Sequence, residues 1–288
     1  MTILAMVFIL ISAIIHASWN YLSKKANGGI PFIWLFTLIA SIVYLPLFIL
    51  SVKYFNFTLN FNNIFFLLGS IIIHLIYFLL LFKGYKVGDL SIVYPVARGS
   101  APMMTVIIAS VLFNEKLSII AYLGIIFIIV GIFLLTGGLN IFKDRNNLLA
   151  ISYGLLVGIA ITSYTLLDKA IVSIVFIFPL ILDYFNTIGR LILLSPIVFK
   201  SFDKVKYEWK NHKKEAFLVA IFNSLGYIIV LLVLRFAPVS YVAPVREISI
   251  LFGTLIGVKV LNEHFGLNRI IYALLITIGV VVIAYTTL

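Results

Sequence analysis

The sequence predicts an all-α integral membrane protein, with ten transmembrane helices arranged as two inverted five-helix repeats. Three observations predict it. First, 63% of the 288 residues are hydrophobic, 11% are charged and the mean hydropathy is +1.20, whereas a soluble domain is about 45–50% apolar and about 25% charged. Second, the apolar residues fall into ten runs, each near the roughly 20 residues that cross a bilayer. Third, the two halves of the chain repeat a set of prolines, serines and Asn-Glu pairs.

The runs are 3–23, 31–52, 63–84, 90–112, 118–137, 147–167, 175–199, 216–236, 239–261 and 267–287. Charges or turn formers mark the breaks: Lys24-Lys25-Ala26-Asn27-Gly28-Gly29, Asn60 to Asn63, Gly88-Asp89, Asn114-Glu115-Lys116, Lys143-Asp144-Arg145, Asp168-Lys169 and Asn262-Glu263. The one long hydrophilic connection is 200–215. Each run is expected to be a helix, because lipid cannot satisfy free backbone groups and a barrel needs short alternating strands. The first run has no basic residue before it and no small-residue cleavage site, so it reads as a retained span rather than a leader. No room is left for a soluble domain. With no cysteine, disulfide scaffolds and cysteine-ligated metal centres drop out.

The net charge of +11 does not indicate nucleic acid, since no basic stretch is interleaved with stacking aromatics in a soluble context. The lysines cluster in the breaks instead. With ten spans, the face holding both termini carries four Lys and Arg (Lys53, Lys116, Lys169, Arg235). The opposite face carries fourteen, including six lysines of 200–214. By the positive-inside bias, the rich face is cytoplasmic and both termini are extracytoplasmic. The expected location is a cell membrane. The 200–214 stretch serves this orientation, with contact to anionic lipid headgroups secondary.

The repeat can be laid out residue by residue. Lys86 to Arg98 aligns with Arg235 to Glu247, so that Ser91 meets Ser240, Val93 meets Val242 and Pro95 meets Pro244. Asn114-Glu115 meets Asn262-Glu263. Lys25-Ala26 aligns with Lys169-Ala170, and Pro46 with Pro196. The units are 1–140 and 141–288. Five spans is an odd number, so the second copy enters the membrane upside down, an architecture common among secondary transporters.

This organisation resembles the EamA-type branch of the drug/metabolite transporter superfamily. The Pro95 and Asn114-Glu115 stretch, repeated at Pro244 and Asn262-Glu263, is similar to the EamA repeat over essentially the whole chain. The resemblance implies a secondary carrier for amino acids or other small metabolites, with a cavity lined by spans 1, 3 and 4 of each half. His16-Ala-Ser-Trp-Asn20 and Tyr94 to Pro102 also resemble a subset associated with phosphonate-utilisation gene clusters.

Charges within spans are costly, by roughly 2.5–3.5 kcal/mol, and usually face the protein interior. Arg98 and Glu247 each follow a matched proline by three residues, so a pseudo-two-fold axis brings them to similar depth. They are expected to pair near the midplane, as a packing element or as part of the transport site. Arg246 is then left over and suits a substrate anion, since a guanidinium grips carboxylate or phosphate bidentately. Its alternatives are snorkelling or pairing with Asp183. Arg190 reads as a structural or gating residue nearer the cytoplasmic end.

His16, Trp19 and Asn20 share one helical face. His74 shares a face with Tyr77 and aligns with Asn223 in the second half. These residues and Tyr94 are expected to shape the cavity; the plainer reading of a mid-span histidine is a hydrogen-bonded packing residue. Tyr164 sits where span six mirrors Asn20. A histidine, or Glu247, could carry a coupling proton. His212 and His264 are expected to be solvated, and Gly124, Gly131, Gly137 and Gly138 to serve packing. There is no phosphate-binding loop for ATP and no nucleophile elbow.

The expected function is therefore transport of a small polar, anion-bearing metabolite by alternating access: an amino acid, an organic acid, or a phosphorylated or phosphonate compound. Candidate substrate-binding residues are His16, Trp19, Asn20, His74, Tyr94, Arg98, Asn223, Arg246 and Glu247. No catalytic residue, metal or cofactor is expected, and the state is monomeric or homodimeric. The alternative is a flippase or membrane enzyme handling a lipid-linked anion.

Overall fold

The computed structural model describes residues 3–112, 118–135, 145–237, 239–246, 249 and 267–286. Ten helices occur among them, and no strand. They are α1 (Ile3–Ala26), α2 (Gly29–Tyr54), α3 (Phe61–Val87), α4 (Leu90–Leu112), α5 (Ile119–Leu135), α6 (Arg145–Ser173), α7 (Pro179–Phe199), α8 (Phe202–Phe236), α9 (Val239–Arg246) and α10 (Leu267–Thr286). Six contain a segment long and apolar enough to cross a membrane: Leu4–Ala26, Gly29–Tyr54, Asn63–Val87, Leu148–Ser173, Pro179–Phe199 and Phe202–Leu234. Helices α4, α5 and α10 carry shorter apolar stretches.

Local chemistry sets several ends. Asn60 caps α3, its side chain accepting from the Asn63 amide at 2.8 Å, which satisfies one of the orphan donors of a first turn. Pro179 opens α7 at a position where its missing N–H costs nothing.

The polarity is that of a protein dissolved in lipid. On α3, Phe61, Phe65, Leu68, Ile72 and Ile76 are exposed, while Ser70, His74 and Tyr77 are buried. Exposed apolar and buried polar faces alternate in this sense because lipid tails are as apolar as leucine, and association then rests on packing and interhelical hydrogen bonds.

The packing respects an exchange of halves. Swapping α1–α5 for α6–α10 turns the contact of α1 with α8 into that of α6 with α3. It turns α2 with α8 into α7 with α3, and α4 with α6 into α9 with α1. The pairs α2 with α7, α5 with α10, and α4 with α9 map onto themselves. Where α5 meets α10 the backbones nearly touch: a Cβ on Gly279 would lie 2.6 Å from the carbonyl oxygen of Gly124. Small residues permit this approach. Gly137, Gly138, Asn114, Glu115, Asn262, Glu263 and His264 lie outside the described residues.

Four expectations are corrected. The 200–215 stretch is helical: α8 begins at Phe202 and bends at His212, whose φ of −128° and ψ of 26° are not helical. Residues 202–211 contain no glycine or proline to prevent a helix. His212 is not simply solvated, since its Nδ1 sits 2.7 Å from the buried Glu208 carboxylate. Helix α6 runs through Asp168-Lys169 to Ser173, so these residues are not a break.

The repeat register at α1 and α6 also moves by one. Lys24 donates to the carbonyls of Tyr85 (2.5 Å) and Gly88 (2.8 Å) at the end of α3. Lys169 donates to those of Leu234 (2.7 Å) and Ala237 (3.0 Å) at the end of α8. Lys24, not Lys25, is therefore the counterpart of Lys169, and Trp19, not Asn20, the counterpart of Tyr164. Lys25 instead forms a surface ion pair with Glu215 at 2.9 Å.

Candidate functional site

Helices α1, α3, α6, α7 and α8 surround a central cavity. The period of a helix brings residues three, four and seven apart onto one face, and each wall follows from that. Helix α1 contributes His16 and Trp19. His16 Nδ1 lies 2.8 Å from the Ser12 carbonyl and 3.1 Å from its hydroxyl, one turn earlier. The Ser12 hydroxyl in turn donates to the Gly226 carbonyl at 2.9 Å. A Cβ on Gly226 would lie 3.0 Å from His16 Nδ1, so the absent side chain lets α8 approach this ring.

Helix α3 contributes His74, Tyr77 and Phe78, and α6 contributes Tyr164. The rings of His74 and Tyr164 stack with centroids 4.3 Å apart. Helix α7 supplies Asp183, Asn186 and Arg190, and α8 supplies Asn223 and Tyr227. Asp183, Asn186 and Arg190 form a polar stripe at i, i+3 and i+7. Arg190 donates from Nε to Thr37 Oγ1 at 3.1 Å, and its guanidinium carbon lies 4.1 Å from the centroid of the Phe78 ring. Such a cation–π contact retains the charge at low cost. Arg190 thus sits in the cavity wall.

Behind the aromatic wall lies Asp168, with no exposed surface. Ser70 donates to its Oδ1 at 2.6 Å. His74 Nε2 stands 2.8 Å from Oδ2, and the Tyr227 hydroxyl donates to the same oxygen. A carboxylate only accepts, so Nε2 of His74 carries its proton when Asp168 is ionised. The group joins the halves: Ser70 and His74 come from the first repeat, Asp168 and Tyr227 from the second.

Of the residues singled out in the sequence, His16, Trp19, His74 and Asn223 line the cavity. Asn20 is buried beside it, donating to the His16 carbonyl at 2.7 Å and accepting from the Tyr85 hydroxyl at 2.5 Å. Tyr94 and Arg98 are buried together on α4, the guanidinium carbon 5.5 Å from the ring centroid. Arg246 is buried at the end of α9, and Glu247 lies outside the described residues. The missed residues are Asp168, Asn186 and Tyr227. The α7 stripe was available as a spacing signal. Asp168 carried only a weak one: it shares a face with Tyr164, and no turn former follows it before Ser173.

Among the described residues, the cavity lining offers one cation, one carboxylate, two amides, two imidazoles and several aromatic rings. Among the described residues no cluster of three histidine, aspartate or glutamate side chains is suited to hold a metal ion. No curated protein matches the chain in sequence. A solved crystal structure of a protein is similar over 98% of this chain and 97% of its own, with a TM-score of 0.66 and 12% identity; at that identity the likeness shows the fold alone. The EamA-like transporter family matches residues 3–137 and again residues 148–285. A family pattern that fits each half of a helical bundle built around a polar cavity settles the affiliation: this chain is a member of the EamA-like transporter family, a multi-pass membrane protein of the drug/metabolite transporter type.

Proposed function

We propose that the protein is a secondary transporter for a small polar metabolite bearing an anionic group, and that it works by alternating access between its two halves. The observation that carries this reading is the buried stripe of Asp183, Asn186 and Arg190 facing the cavity. Buried charges are costly within a bilayer and mark substrate or ion pathways. Arg190 presents a fork suited to carboxylate or phosphonate oxygens. Asp183, two turns earlier, suits an ammonium group. An amino acid or aminophosphonate carries both. His16, Trp19, His74 and Asn223 shape the remaining wall. Asn20, Tyr94, Arg98 and Arg246 complete the site, with Glu247 balancing charge. Ten spans, a cytoplasmic lysine-rich face in the cell membrane and extracytoplasmic termini complete the reading.

Reconstituted proteoliposomes test it. A radiolabelled panel of amino acids, organic acids, phosphorylated compounds and aminoethylphosphonate is expected to contain a solute that shows counterflow. Absence of flux across the whole panel, with labelled lipid moving instead, sinks the carrier in favour of a flippase.

A further inference from the structure

We propose that Asp168 and His74 form a proton-binding site that couples substrate movement to a proton gradient. The proposal rests on the carrier reading above and adds the coupling residue. Three features of the geometry carry it. Asp168 is entirely buried and lies outside the cavity lining, so it is not placed to touch substrate. Its three partners among the described residues are neutral or titratable groups: Ser70, His74 and Tyr227. No Lys or Arg among the described residues forms an ion pair with it.

The path to the cavity runs through His74. Its Nε2 is held by Asp168, and no described residue hydrogen-bonds to Nδ1. His74 itself lines the cavity. A proton arriving from the cavity binds Nδ1, which converts the ring to imidazolium and turns a buried net charge of −1 into a neutral pair. Low dielectric makes that difference matter. The ring is stacked on Tyr164, so its plane is fixed while its charge changes.

The surrounding groups set the context. From α7, Asp183 and Arg190 face the cavity, a carboxylate and a guanidinium on one stripe. His16 faces it from α1, Tyr77 from α3 and Tyr227 from α8. Arg98 on α4 and Arg246 on α9 are both buried. The counter-charge in contact with an imidazolium at His74 is Asp168, 2.8 Å from Nε2. Because the network ties α3 of one repeat to α6 and α8 of the other, its protonation changes the contact between halves that move against each other in alternating access.

Two measurements on the full chain test this. Histidine-¹⁵N-labelled protein in lipid nanodiscs is expected to show one ring, identified by its loss in H74Q, that is neutral with the proton on Nε2 at high pH. That ring becomes imidazolium on acidification. A His74 ring that stays neutral from pH 5 to 9 overturns the proposal, and this readout needs no substrate.

The second uses proteoliposomes filled with the pH dye pyranine and whichever panel solute shows counterflow. Wild-type protein moves protons with solute and concentrates the solute under a pH gradient. D168N keeps counterflow but loses pH-driven accumulation at least tenfold. If D168N does not fold, S70A, which keeps the carboxylate but removes its Oδ1 donor, is expected to lower the accumulation ratio at least threefold. Accumulation that survives in D168N, is unchanged in S70A, or follows sodium rather than pH overturns the coupling site. Absence of counterflow in the wild type sinks the carrier reading instead.

Discussion

The cost of burying Asp168 is met by partners that its own stretch of sequence does not contain. Ser70 and His74 lie on α3, more than 90 residues earlier, and Tyr227 on α8. Removing one donor leaves a desolvated acceptor, at about 1–3 kcal/mol. H74F is therefore expected to lower thermal stability by about 2 kcal/mol. Because both residues share one network, the cost of adding D168N to H74F should fall well short of the sum of the single changes. A thermal-denaturation double-mutant cycle in detergent reads this; strict additivity would mean the two side chains do not interact. Arg190 makes a second prediction at this scale. R190Q removes the cavity's guanidinium and is expected to raise the half-saturating concentration of an anionic solute at least tenfold. R190K restores the charge without the fork and recovers only part of that loss, as concentration-dependent uptake would show.

Among the elements, the most informative contacts are the two lysines reaching helix C-termini. Lys24 and Lys169 each supply a cation where the carbonyls of α3 and α8 lack intrahelical partners. K169M should destabilise the end of α8 by about 2 kcal/mol. Faster amide exchange around residues 230–237 than in the wild type would register it, and K24M should do the same for 81–88. Close approach of backbones gives a complementary prediction: G279V places its side chain against the Gly124 carbonyl and should separate α5 from α10, seen as a loss of melting temperature.

At this scale the sequence was legible in part. Apolar runs located every described helix, because membrane length and backbone satisfaction leave few alternatives. The charges of Asp168-Lys169 read as a break, whereas α6 runs on to Ser173. A charge in a helix announces an end only if water lies there, and here Tyr227, Ser70 and His74 stand in for water. The same holds for the hydrophilic connection 200–215, which is helical from Phe202. Its lysines report the aqueous face, while Val205 and Glu208 are buried, so the segment is a helix with one side docked.

For the molecule as a whole, orientation is the clearest prediction. With no native cysteine, an introduced one is the sole thiol. K210C is expected to react with a membrane-impermeant maleimide only from the cytoplasmic side, and K53C only from outside; the opposite result reverses the topology. The two-repeat plan was legible because prolines and polar pairs recur at matched spacing. Which guanidinium lines the described cavity was not: the sequence points to Arg98 and Arg246 for a substrate anion, and packing between helices puts Arg190 in that wall.

The exchange of halves has one last consequence. If the carrier alternates, its opposite conformation is obtained by giving each repeat the arrangement of the other. For two identical repeats those conformations would have equal energy. These repeats are not identical: Asp168 stands opposite Ser23, His74 opposite Asn223, and Tyr164 opposite Trp19. The preference for facing one side of the membrane at rest then follows from such differences between the repeats, and making these three positions match should shift that preference.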